Sequence, residues 1–134
     1  MGKPQDTSTP RLGELEAAIM KVLWDRPEAT VQQVQHALQA SRGAAYTTVM
    51  TVMGRLTDKG LLRRRKEGRA YVYAAAAPQD EVAGSLLQSL VGRVYDGSAS
   101  RAIAQLIEAD EQVDDAELER LEQLIRRKRN ERRS

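Results

Sequence analysis

Apolar positions along the chain repeat first with a helical period, then with a strand period, then with a helical period again. Leu12, Leu15, Ile19, Val22 and Leu23 share one helix face over about Leu12–Trp24. Thr9 and Pro10 offer an earlier start, and Asp25-Arg26-Pro27 stops the run. Thr30 and Gln33 are spaced for a capping box, in which each side chain serves the other's backbone N–H. Val31, Val34 and Leu38 then make a narrow stripe on a short helix, about Val31–Ala40, and Ser41-Arg42-Gly43 reads as a turn.

A third helix is expected over Tyr46–Lys59, with Gly60 as its left-handed cap. Val49, Val52, Met53 and Leu56 fall at i, i+3, i+4 and i+7, so they face the core. Thr47, Thr51, Gly54, Arg55 and Asp58 take the opposite face. The β-branched residues weaken the helix propensity, but the spacing of the apolar set does not fit a strand. Leu61–Arg65 and Arg69–Ala75 then read as a hairpin turning at Lys66-Glu67-Gly68. Alternation sets Tyr71 and Tyr73 on one side of the second strand, and Ala70, Val72 and Ala74 on the other. So short a ribbon must pack on the helices to be stable.

Pro78 closes an alanine run and marks a boundary between segments 1–77 and 78–134. Helices are expected near Gln79–Arg93, Ser98–Glu108 and Asp115–Arg129, with Asp114 and Glu117 suited to the start of the last. Their apolar residues include Val82, Leu86 and Leu90, then Ile103 and Leu106, then Leu118, Leu121, Leu124 and Ile125. Three short amphipathic helices with no sheet have little to bury against within one chain. An identical chain is the commonest partner, which makes these nine residues the expected dimerisation set. The fold class is therefore mainly α (α+β): a winged helix-turn-helix followed by an α-helical dimerisation domain.

Composition narrows the chemistry. The 134 residues include no Cys and one His, which excludes disulfides, thiolate metal sites, a cysteine nucleophile and any multi-histidine centre; no metal or cofactor is expected. No apolar run is of membrane-spanning length, and Met1–Pro10 lacks the apolar stretch of a secretion signal, so a cytoplasmic protein with no membrane partner is expected. Charge is uneven: net +5 through Ala77, −8 over Pro78–Ile125, and +5 over Arg126–Ser134. A basic N-terminal half beside an acidic helical stretch points to one part that meets a polyanion and another that does not.

Three helices and a ribbon are the element order of a winged helix-turn-helix, whose third helix enters the major groove while the ribbon touches backbone or minor groove. The expected DNA-contacting residues are Tyr46, Thr47, Thr48, Thr51 and Arg55 on that helix, and Arg65, Lys66 and Arg69 flanking the ribbon tip. Threonine supplies hydroxyls for phosphates and methyls for thymine; arginine reaches a base edge or a phosphate. The bland alternative is an exposed polar face and a solvated turn. Tyr71 or Tyr73 is expected to pack the ribbon on the helices, and Trp24 to serve core or interdomain packing. His36 has no second imidazole, and the paired acids Asp110-Glu111 and Asp114-Asp115 have no basic or metal partner, so no enzyme is expected. The Arg126-Arg127-Lys128-Arg129 cluster suits a helix C-terminus.

The stretches Leu12-Gly13-Glu14-Leu15-Glu16, Val22-Leu23-Trp24, Thr30-Val31-Gln32-Gln33-Val34 and Ala45-Tyr46-Thr47-Thr48-Val49-Met50-Thr51-Val52, with Arg55-Leu56, resemble the BlaI/MecI repressors of bacterial penicillinase and methicillin-resistance genes. Lys59-Gly60-Leu61-Leu62 and Arg69-Ala70-Tyr71-Val72-Tyr73 fit the same pattern. The resemblance covers most of 12–125. It implies a homodimeric repressor on double-stranded operator DNA, at inverted repeats with TACA and TGTA half-sites, with Thr47, Thr48, Thr51 and Arg55 at the recognition positions. The Asn-Phe bond cleaved on induction in that family aligns at Leu106-Ile107, and the Cys-x-Cys of copper-responsive relatives has no counterpart. The inducing protease or ligand stays open. Other classes also stay open: a ligand-responsive winged-helix regulator, a nonspecific DNA-architectural protein, or an adaptor that never meets DNA.

Overall fold

Six helices and one hairpin follow in the order α1 (Glu14–Asp25), α2 (Val31–Leu38), α3 (Tyr46–Asp58), β1 (Leu62–Glu67), β2 (Ala70–Ala75), α4 (Gln79–Val94), α5 (Ala99–Ala109) and α6 (Asp115–Arg133). The computed structural model describes residues 12–133. The earlier start at Thr9-Pro10 and the reading of Met1–Pro10 lie outside the described residues. No helix among the described residues is long and apolar enough to cross a membrane.

Three helix boundaries have a clear local cause. At α2 the Thr30 hydroxyl accepts from the Gln33 N–H (3.2 Å), and the Gln33 side-chain carbonyl accepts from the Thr30 N–H (2.9 Å), so the capping box is complete. At α6 the Asp114 carboxylate accepts from the Glu117 N–H (2.9 Å). Helix α3 ends in a Schellman arrangement: Leu61 N–H donates to Leu56 O (2.9 Å), and Gly60 N–H donates to Thr57 O (3.0 Å). That closure needs Gly60 at φ +82°, where a side chain is strained. Leu61 and Leu56 are both buried in the same core.

The hairpin turns later than the sequence reading placed it, and the pairing is shifted by three positions. Leu62 pairs with Ala75, Arg64 with Tyr73 and Glu67 with Ala70, leaving Gly68-Arg69 as a two-residue connection. Gly68 sits at φ +63°, which suits the first central position of such a turn. A contribution not foreseen from the sequence comes from Ala29. It bridges Tyr73 by two backbone hydrogen bonds (2.9 and 2.8 Å), tying the α1–α2 connection to β2.

Ile19, Met20, Val34, Val49, Met53, Leu56 and Leu62 are the largest fully enclosed side chains, drawn from all three N-terminal helices and β1. Trp24 packs against this core, and its indole N–H donates to Ala77 O (3.1 Å). By packing, the chain divides at Ser89/Leu90, inside α4. Val82 is buried in the N-terminal core and Leu86 packs on it, so the first half of α4 belongs with the winged helix. Helix α4 runs through the Ser89/Leu90 position without a break. In α5 and α6 no side chain is buried.

Glu16 links α1 to the end of α3. Burial acts to raise its carboxyl pKa, but the Gly13 N–H (2.9 Å) and the Lys59 ammonium (2.9 Å) outweigh this and hold it below the ordinary carboxylate value. A lowered folded-state pKa adds stability that is complete above the unfolded value and is lost as pH falls through the folded one. Glu16→Gln should therefore flatten the acid limb of a urea-stability profile below about pH 4.5, leaving neutral stability down by about 1 kcal/mol or less. Gly60→Ala should cost about 1–2 kcal/mol in urea unfolding with the slope unchanged.

Candidate nucleic-acid interface

Helix α3 buries Val49, Val52, Met53 and Leu56 and leaves Tyr46, Thr47, Thr48, Met50, Thr51 and Arg55 exposed. The division follows from the apolar spacing: one side of the cylinder is taken by α1, α2 and β1, and the other has nothing over it among the described residues. Three hydroxyls, one guanidinium and one phenol therefore occupy a single continuous surface. Met50, 44% exposed, belongs to the same surface and was not singled out from the sequence. Its signal was its place one residue after Val49, off the buried stripe.

The first turn of α3 differs from those of the neighbouring helices. Glu16 serves the start of α1 and Thr30 that of α2, whereas Ala45 gives α3 no side-chain cap. The leading N–H groups of α3 are thus left to solvent or to an anion, at the positive end of the helix dipole.

Strand pairing sorts the ribbon cations into two groups. Arg64 and Lys66 share a face with Tyr71 and Tyr73; Arg63 and Arg65 share the other with Val72 and Ala74. Tyr73 is buried and packs the ribbon on the helices, while Tyr71 is 40% exposed. The Arg64 guanidinium lies 4.1 Å from the Tyr71 ring centroid and donates to the Tyr73 hydroxyl (3.4 Å), which raises its pKa further. Lys66 Nζ is 6.0 Å from the same ring, and the two tyrosine rings meet edge-on at 6.4 Å. Arg65 is held instead by carboxylates: Nη1 to Glu67 and Nη2 to Glu28, both 2.6 Å, which also raise its pKa. Arg69 stands in the turn itself. Arg64, on the Tyr71 face, was not singled out from the sequence, and Arg65, expected at a phosphate or minor groove, has both arms of its guanidinium engaged by carboxylates.

The remaining expected residues are placed as follows. His36 is exposed on α2, and no group of three or more potential metal ligands forms among the described residues. Of the nine residues expected at a dimer face, Val82 and Leu86 sit with the N-terminal core, and Leu121 is half-buried. Leu90, Ile103, Leu106, Leu118, Leu124 and Ile125 are exposed, at 37–62%.

Comparison with known proteins decides the family. The model of the penicillinase repressor family matches residues 12–127. The chain belongs to the penicillinase repressor family. Membership makes it a DNA-binding transcriptional repressor of a bacterial class, and not an enzyme. Relatives include the transcriptional regulator BlaI of Mycobacterium tuberculosis, 45% identical over 100 residues, which cover 73% of this chain and 72% of that protein. The penicillinase repressor of Bacillus licheniformis is 26% identical over 121 residues, covering 90% and 94%. The solution structure of the DNA-binding domain of the repressor BlaI aligns with a TM-score of 0.49 and 29% identity, over 54% of this chain and 88% of that one. The family match spans both the winged helix and the C-terminal helices.

The carboxylates on Arg65 make a measurable electrostatic statement. Glu28→Gln combined with Glu67→Gln should strengthen binding to a random-sequence duplex several-fold and steepen its salt dependence by up to about 0.9 in log–log slope. Thermal stability should fall by no more than about 1 kcal/mol, as for exposed ion pairs.

Proposed function

We propose that this repressor acts as a homodimer on an inverted-repeat operator with TACA/TGTA-type half-sites, with α3 of each copy in a major groove. The observation that carries the reading is the undivided polar face of α3, Thr47, Thr48, Thr51 and Arg55, opposite its buried stripe and beneath an uncapped first turn. A groove-reading helix requires one face committed to the core and one small enough to reach base edges. Threonine methyls suit thymine, and Arg55 suits a guanine edge or a phosphate, which fits half-sites built from both base pairs. Tyr46, at the start of α3, is placed for its hydroxyl to reach the backbone.

On the ribbon, Arg64, Lys66 and Arg69 supply the backbone or minor-groove contacts. Stacking on Tyr71 holds Arg64 in one direction and lowers the entropy lost on contact. Arg65 contributes less than its position suggested, since Glu28 and Glu67 already neutralise it.

The exposed leucines and isoleucines of α4–α6 support the homodimer. Two copies joined there raise each other's effective concentration on a two-half-site operator, so loss of the dimer releases DNA without any relay through the winged helix.

Fluorescence anisotropy with a TACA/TGTA inverted-repeat duplex, against a scrambled duplex and over a range of salt, tests the reading. The expected result is two chains per repeat and a preference of at least about a thousandfold. Equal binding to both duplexes would replace it with an architectural role. Arg55→Ala should weaken repeat binding by about 1–3 kcal/mol, roughly tenfold or more, without altering helix content or sedimentation. Arg64→Ala should lower the salt slope by about 0.9, and Arg65→Ala should lower it by much less.

A further inference from the structure

We propose that Met50 is an oxidation-sensitive site on the DNA-reading surface, where conversion of its thioether to the sulfoxide releases operator DNA; this rests on the reading that α3 lies in a major groove. Three methionines lie among the described residues, and exposure divides them sharply. Met20 and Met53 are enclosed in the N-terminal core at 0% exposure, whereas Met50 is 44% exposed. A thioether reacts as far as the oxidant can reach it, so Met50 is open to attack while the fold still shields the other two. The sequence holds no Cys, so no thiolate of this chain competes for the same oxidant.

The place of Met50 gives that reaction a consequence. Thr47 stands three residues before it and Thr51 directly after it, both exposed, and Tyr46 lies one turn before it on the same flank of α3. One turn after it comes Gly54. Long side chains on a helix lie back over the preceding turn, so a larger residue at 54 would cover Met50. The space that a side chain at Gly54 would enter is open, so nothing there shelters the sulfur. Against DNA, the Met50 methyl and thioether are soft apolar groups suited to a thymine methyl. The sulfoxide is bulkier and a strong hydrogen-bond acceptor. Pressed on a thymine methyl or a phosphate it gives up water and gains no donor.

The step is a two-electron oxygen transfer from a peroxide. The sulfur lone pair takes one peroxide oxygen and the O–O bond breaks; the sulfur is oxidised to the sulfoxide and hydrogen peroxide is reduced to water. The side chain gains no net charge, and the buried stripe of Val49, Val52, Met53 and Leu56 is untouched. Oxidation therefore acts on DNA contact and leaves the fold and assembly as they were.

The full-length protein is treated with hydrogen peroxide until tandem mass spectrometry places one added oxygen on Met50 and none on Met20 or Met53. The treated chain should bind the TACA/TGTA repeat duplex at least about fivefold more weakly in fluorescence anisotropy. Helix content, urea midpoint and sedimentation should not change, and methionine sulfoxide reductase should restore binding. Met50→Gln, which is polar without oxidant, should weaken the untreated chain. Met50→Leu, whatever its starting affinity, should lose nothing on treatment, which separates Met50 from Met1 and from other oxidisable groups. Full affinity with Met50 oxidised, an equal loss in Met50→Leu, or a loss that comes with unfolding or dissociation would overturn the proposal while leaving the operator reading in place. An untreated wild-type chain that binds repeat and scrambled duplexes equally would instead remove the operator reading, and the proposal with it.

Discussion

Everything in the N-terminal half depends on α3 being held by one face only. Val49, Val52, Met53 and Leu56 enter a core made by α1, α2 and β1, and each enclosed side chain of that size is worth about 1.5–3 kcal/mol. Two or three such contacts exceed the combined worth of the exposed ion pairs around them. The stripe therefore fixes the rotation of α3 about its axis, and with it the direction of Thr47, Thr48, Thr51 and Arg55. The β-branched residues that make α3 a mediocre helix in isolation are tolerated because packing, not propensity, supplies its stability. The Schellman closure at Gly60 then sends the chain straight from α3 into β1, so helix and ribbon are joined by one hydrogen-bonded junction.

Charge on the ribbon shows how tertiary contacts revise a composition. Five cations near the tip look equivalent in one dimension. Folded, Arg64 lies on an aromatic ring, Arg65 lies between two carboxylates, and Arg69 occupies the turn. One of those carboxylates, Glu28, comes from the connection that Ala29 joins to β2, so the same bridge that widens the ribbon also brings the acid to Arg65. The basic surface is thereby concentrated on the Tyr71 side.

The C-terminal helices follow a different rule. Where α1–α3 bury their apolar stripes against one another, no side chain of α5 or α6 is fully buried, and Leu121 is only half-buried. Helices so exposed take little of their stability from packing within the chain. On the homodimer proposed above, a second copy would supply the surface these helices lack within the chain.

The sequence by itself determined the elements, because periodicity and caps are local. The period of α3, the Thr30/Gln33 box and the Gly60 cap involve residues within a few positions of one another. The rotation of α3, and hence its exposed threonines and Arg55, was legible for the same reason. The tertiary structure alone decided which ribbon cations are available. A turn at Lys66–Gly68 would set Arg63 opposite Tyr71, whereas the Gly68-Arg69 turn sets Lys66 there and brings Arg64 onto the same face. In a strand of period two, a shift of that parity exchanges the faces of every side chain. Glu28 reaches Arg65 across 37 positions, and Val82 and Leu86 join a core begun seventy residues earlier. No local pattern encodes such contacts, since they arise only when separate elements are packed together.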